Sequence, residues 1–154
     1  MTDIIILFCT SALGYLVGQA WEKHQLRKEK LYCNLYEFCV KFRANITTSK
    51  MVLPAFVQEF CASASKDFVS CCNSFLFGKQ TKFNLVKGNE YHYLEKFFAG
   101  LDANNQVALM DHLNYFCHYF NSVLSQVQME NKSKAKLGLK LGLLCGVIVG
   151  LVLV

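Results

Sequence analysis

Histidine and cysteine are the residues with which this chain could do chemistry, and neither is spaced for it. Cys71 and Cys72 are adjacent, and the four histidines stand at positions 24, 92, 112 and 118. A structural zinc site needs two paired ligand sets, such as two cysteines separated by two residues and a second pair at a set distance. No cysteine pair here has that spacing, and His112 and His118, six apart, face different sides of a helix. Asp111 and His112 are neighbours, but neighbouring helical side chains diverge by about 100°, so they make no catalytic dyad. No nucleophile elbow, phosphate-binding glycine loop or usefully spaced carboxylate pair occurs. The expectation is a chain with no catalytic residue, no metal and no cofactor.

Composition points the same way. The chain has 154 residues, 53% of them hydrophobic, one proline and a mean hydropathy of +0.25. That is high for a soluble domain and low for a polytopic membrane protein, and it suits a modest body with one or two spans. The eight cysteines follow no secreted framework. Cys9 and Cys145 lie in apolar stretches, and Cys33, Cys39, Cys61 and Cys117 fall among helix-periodic hydrophobes, so all are read as reduced and buried in a cytosolic setting. The net charge of +5 clusters beside the apolar ends, which makes it a topology signal and excludes a nucleic-acid surface.

The elements that would position this chain begin with its last eighteen residues, 137–154. They carry one charge, Lys140, and glycine at every fourth place: Gly138, Gly142, Gly146 and Gly150. Eighteen helical residues reach about 27 Å, close to the hydrocarbon thickness of a bilayer. The expectation is a C-terminal membrane anchor whose glycine strip lets another helix approach closely. Residues 4–20 are seventeen positions without a charge and hold Gly14 and Gly18, again four apart. With no basic n-region and no small-residue cleavage site, they read as an uncleaved first span and not a signal peptide. Trp21 would sit at the headgroup level.

Lys23, Arg27, Lys28 and Lys30 follow the first span, and Lys132, Lys134, Lys136 and Lys140 lead into the second. Both clusters border the middle of the chain. The positive-inside rule then places residues 21–136 in the cytoplasm and both termini on the far side, with the basic residues at anionic headgroups.

The middle reads as helices. Leu31, Leu35, Phe38 and Phe42 make one face continuing out of the first span. Pro54 suits the first turn of a second helix, with Leu53, Phe56, Val57, Phe60 and Ala64 as its apolar face. Phe68, Cys71, Cys72, Phe75 and Leu76 suggest a short third. Tyr91, Leu94, Phe97, Phe98 and Leu101 suggest a fourth, with Gly100 as a left-handed C-terminal cap and Asp102 as N-cap of the next helix. Leu109, Leu113, Phe116, Phe120, Val123 and Val127 step by four and three, a heptad-like seam on a helix that runs on without a breaker into the final span. The fold expected is all-α: an N-terminal transmembrane helix (1–20), a cytoplasmic helical bundle (21–136) and a C-terminal transmembrane helix (137–154). The phenylalanines read as core. Tyr32, Tyr36, Tyr91 and Tyr115 could equally line a docking face.

This layout resembles stage III sporulation protein AB of endospore-forming Firmicutes. The similar stretches are LYEFCVKFRANI with the later LPAF, then LEKFFAGLDANNQ with Gly100, Leu101, Asp102 and Gln106, then KLGLKLGLLCG at the entry to the last span. The match covers most of the chain in order, with more aromatics and cysteines and fewer charges than that family carries. The resemblance implies a non-enzymatic platform in the mother-cell membrane facing the forespore, similar in part to the F-type inner-membrane platform of type II secretion and type IV pilus systems. It further implies other membrane proteins of the sporulation channel complex as partners, and a cytoplasmic motor ATPase like stage III sporulation protein AA.

The reading is therefore a scaffold whose spans pack through Gly14 and Gly18 and part of the C-terminal ladder. Membrane lipid, partner spans or a second copy (a homo-oligomer) would cover the remainder. The rival of a different class is a holin-like, channel-forming small membrane protein assembled through the same glycines. A membrane-bound enzyme is a weaker one. Replacing Gly142 and Gly146 by leucine should weaken assembly, read by co-purification in detergent, while membrane insertion, read by carbonate extraction, is unchanged.

Overall fold

The computed structural model describes residues 2–48, 52–78, 83–102 and 105–153, with side chains described in these ranges except at 2–11, 134–143, 145–147 and 149–153. Among the described residues the chain is all-helical: α1 (Thr2–Thr48), α2 (Leu53–Ser63), α3 (Lys66–Phe75), α4 (Asn89–Gly100) and α5 (Gln106–Leu153). It divides into two compact units. The first is Met1–Leu26 with Gln126–Val154, and the second is Arg27–Ser125.

Each short helix begins and ends for a local reason. Pro54 occupies the first turn of α2, where no N–H is needed, and Val52 before it is extended. The chain leaves α2 through extended Ala64, and Ser65 then caps α3 by accepting from the Phe68 amide at 3.4 Å. The same hydroxyl accepts from Asn34 Nδ2 at 2.8 Å, so the cap is tied to α1. Before α4, Gly88 takes φ +62°, which a residue with a Cβ adopts only under strain.

Two boundary expectations are corrected. Gly100 is not a left-handed cap, because the positive-φ glycines among the described residues are Gly78 and Gly88, and α4 ends with Leu101 in the right-handed region. The glycine is required by a neighbour instead. A Cβ on Gly100 would lie 2.1 Å from Cε1 of His112, whose Nε2–H donates to the Phe97 carbonyl at 2.9 Å. His112 thus serves the end of α4 from α5, satisfying a carbonyl that a helix end leaves orphaned. Asp102 is not the N-cap of α5 either. It lies in the turn before it, and Asn105 is the cap, its Oδ1 accepting from the Val107 amide at 3.0 Å. The helix starts three residues later than an Asp102 cap would have it, since it opens at Gln106.

The second unit closes around aromatic rings. Phe38 on α1 meets Phe56 and Phe60 of α2 at 5.4 Å, Phe68 of α3 at 5.7 Å and Phe97 of α4 at 6.2 Å. Leu31, Leu35, Phe38 and Phe42 are all buried, as one helical face requires. On α5 the buried line runs Leu113, Phe116, Phe120 and Leu124, while Leu109 and Val123 pack at its edge. The seam expected from the sequence thus passes through Leu124, with Val123 beside it. In the first unit, Val127 is buried.

Gly100→Ala should destabilise the full chain by about 1–3 kcal/mol through the clash with His112, measured by thermal unfolding. Adding His112→Ala should make the double variant lose less than the sum of the two single losses, since one removes the obstacle the other meets.

Candidate functional site

Three arrangements bring together residues with a use beyond packing. The first belongs to the unit formed by Met1–Leu26 and Gln126–Val154. There Gly18 is buried and Gly14 half-buried. The larger apolar residues around them lie outside, with Leu13 at 62%, Leu16 at 57% and Val17 at 70% exposure. On α5, Leu144 and Ile148 are also exposed. Gly18 is thus enclosed while the larger apolar residues beside it lie outside, an arrangement suited to close helix contact through glycine. Trp21, Glu22, Gln25 and Leu26 of α1 border a small cleft with Asn131 of α5, so the two segments lie side by side.

Among the described residues no helix is long and apolar enough to cross a membrane. Within the expected spans, side chains are not described at 4–11 and at most of 137–154. Gly138, Gly142, Gly146 and Gly150 belong to helical backbone there, and the side chains of Lys134, Lys136 and Lys140 lie outside the described residues.

The second arrangement is ionic and lies at the start of the other unit. Arg27 grips Asp67 with two hydrogen bonds, Nε to Oδ2 at 3.0 Å and Nη2 to Oδ1 at 2.5 Å. Lys28 Nζ donates to Glu90 Oε1 at 2.7 Å. Asp67 and Glu90 stand in the first turns of α3 and α4, where an acid also complements the helix dipole. Two of the basic residues assigned to headgroups are therefore engaged by the fold. Lys23, Lys30 and Lys132 are exposed, and Trp21 is 38% exposed.

The third arrangement is a groove of about 340 Å³ at the end of the bundle where α2 begins and α3 and α4 finish. Leu53, Pro54, Val57, Phe75, Phe98 and Ala99 form its walls, and Asp102 stands at its edge. Pro54 and Asp102 thus meet there, having been read from the sequence only as a helix start and a cap. Phe77, half exposed, lines the groove, and Val52 next to Leu53 is 70% exposed. Sequence reasoning missed both, because a single apolar residue in a connecting segment has no period to mark it. Of the tyrosines, Tyr32 is buried and Tyr36 half-buried, whereas Tyr91 and Tyr115 are exposed.

Cys33, Cys61 and Cys117, expected from the sequence to be buried, are only half-buried, because their helices present them at the edge of the core. Cys39, Cys71 and Cys72 are buried, and burial pushes all three well above the ordinary thiol range. Among the described residues no group of three or more histidines, cysteines or acids could hold a metal ion. Comparison with protein-family models, curated proteins and solved structures finds no match to this chain.

In the native chain, Cys39, Cys71 and Cys72 should resist iodoacetamide at pH 8 and label only after denaturation, as peptide mapping would read. A raised thiol pKa also sets a sign. The stability it contributes is complete below the unfolded thiol value of about 8.5 and declines as pH rises above it toward the folded value. Thermal midpoints should therefore fall from pH 8 to pH 10, and fall less when these cysteines are alanine.

Proposed function

We propose that this chain is a non-enzymatic membrane platform. Two apolar helices, 4–20 and 137–154, span a bilayer and tether the helical body between them, and that body docks a cytoplasmic motor ATPase. The reading is carried by the burial pattern in the first unit, where Gly18 is inside and Leu13, Leu16, Val17, Leu144 and Ile148 are outside. Exposing those side chains to water costs about 25 cal/mol per Å², whereas lipid tails accept them freely. Close helix contact through glycine is what remains to hold such a pair together in lipid.

The second unit supports the partner half of the reading. It carries a groove of about 340 Å³ with Val52 and Phe77 exposed at one end, a concave site of a size that can take a partner's side chain. The resemblance to stage III sporulation protein AB supplies the setting. In it, residues 21–136 face the mother-cell cytoplasm, both termini lie on the outer side, and the partners are other membrane proteins of the sporulation channel and an ATPase like stage III sporulation protein AA. A packed body of 27–125 with an aromatic core favours this over a holin-like pore, which has no use for one.

Co-purification of the full chain in detergent with a sporulation-encoded motor ATPase is the expected outcome, and Phe77→Asp should reduce it about tenfold or more, the loss of one well-buried aromatic anchor. A sporulating strain lacking the gene should give fewer spores. Normal spore yield on deletion, or a chain extracted from membranes by carbonate, would overturn the reading.

A further inference from the structure

Lys28, Tyr32 and Glu90 form a polar cluster inside the second unit. Lys28 and Tyr32 are four apart on α1 and so share a face. Glu90, in the first turn of α4, accepts from Lys28 at 2.7 Å. The side chain of Tyr32 is 1% exposed, and its hydroxyl has no hydrogen-bond partner in this arrangement. Burial holds that phenol protonated, and the nearby Glu90 carboxylate adds to the effect by its charge. Glu90 therefore has two candidate partners and satisfies one of them.

The balance between the two is fine. An unmet buried hydroxyl is costly, and a partly exposed ion pair is worth little. What keeps Glu90 on Lys28 is the ammonium itself. Its side chain is only 22% exposed, so it cannot be left unpaired cheaply. An outside anion on Lys28 would remove that obstacle. Anionic lipid attracts basic residues close to the membrane.

We propose that Glu90 is a two-position latch, paired with Lys28 as seen here and turned onto the Tyr32 hydroxyl when the phosphate of an anionic lipid headgroup takes Lys28. The inference rests on the membrane reading above for the source of the anion, and on the cluster alone for the latch. Its consequence is that membrane charge acts on the first turn of α4, the helix whose other end supplies Phe98 and Ala99 to the groove.

A double-mutant cycle on the full chain in neutral detergent tests the latch without any bilayer. In the wild-type background, Tyr32→Phe removes an unmet hydroxyl and should leave the thermal midpoint unchanged or raise it. In the Lys28→Gln background, where Glu90 has turned to the hydroxyl, the same substitution should lower the midpoint by about 4 °C or more. The same effect of Tyr32→Phe in both backgrounds would overturn the proposal.

Hydrogen exchange at residues 89–93 then assigns the anion. A change in nanodiscs containing phosphatidylglycerol, absent in phosphatidylcholine and reproduced there by Lys28→Gln, is the expected result. An equal change in phosphatidylcholine with inorganic phosphate would overturn the headgroup assignment, and no change in any arm would overturn the lipid step. A chain that enters no nanodisc defeats the platform reading and the lipid step together, while the cycle in detergent still decides the latch.

Discussion

The ring of Phe38 is the contact through which the second unit is organised. From one position on α1 it reaches α2, α3 and α4, with ring centres between 5.4 and 6.2 Å away. Phe97 does the same from α4, meeting Phe116 at 5.2 Å and Phe120 at 5.0 Å on α5. Aromatic pairs at such separations add about 0.5–1.5 kcal/mol each beyond the area they bury. The short helices α2, α3 and α4 have 10–12 residues apiece, too few to be stable alone in water. They are helices because this aromatic centre gives their apolar faces somewhere to go.

Around that centre, polar groups from the two long helices complete the ends of the short ones. Asn34 from α1 holds the Ser65 cap of α3. Arg27 and Lys28 from α1 meet the acids in the first turns of α3 and α4. His112 from α5 takes a carbonyl at the far end of α4, and Gly100 makes room for its ring. The pattern has a physical logic. Helix ends carry unmet backbone groups and partial charge, and a short helix has proportionally more of both.

The two units differ in what their described side chains enclose. In one, phenylalanine and leucine are enclosed and charge lies outside, as water demands. In the other, Gly18 and Val127 are enclosed while Leu13, Leu16, Val17, Leu144 and Ile148 lie outside. The platform reading rests on that contrast more than on any cluster of reactive groups.

Much of this was legible in the chain itself. Helix periodicity is a property of one segment, so Leu31, Leu35, Phe38 and Phe42 announced a buried face, and Pro54 announced a helix start. Tertiary structure decided what depends on distant partners. Arg27 meets an acid 40 residues away and Lys28 one 62 residues away, so charges that a local reading gives to headgroups are claimed by the fold. Asp102 looks like a cap until the turn places Asn105 at the helix start, and Gly100 looks like a left-handed residue until His112 arrives from another helix. The groove, too, exists only where α2, α3 and α4 come together. Periodicity lies along the chain, but the ends of helices and the spaces between them are settled by whatever packs there.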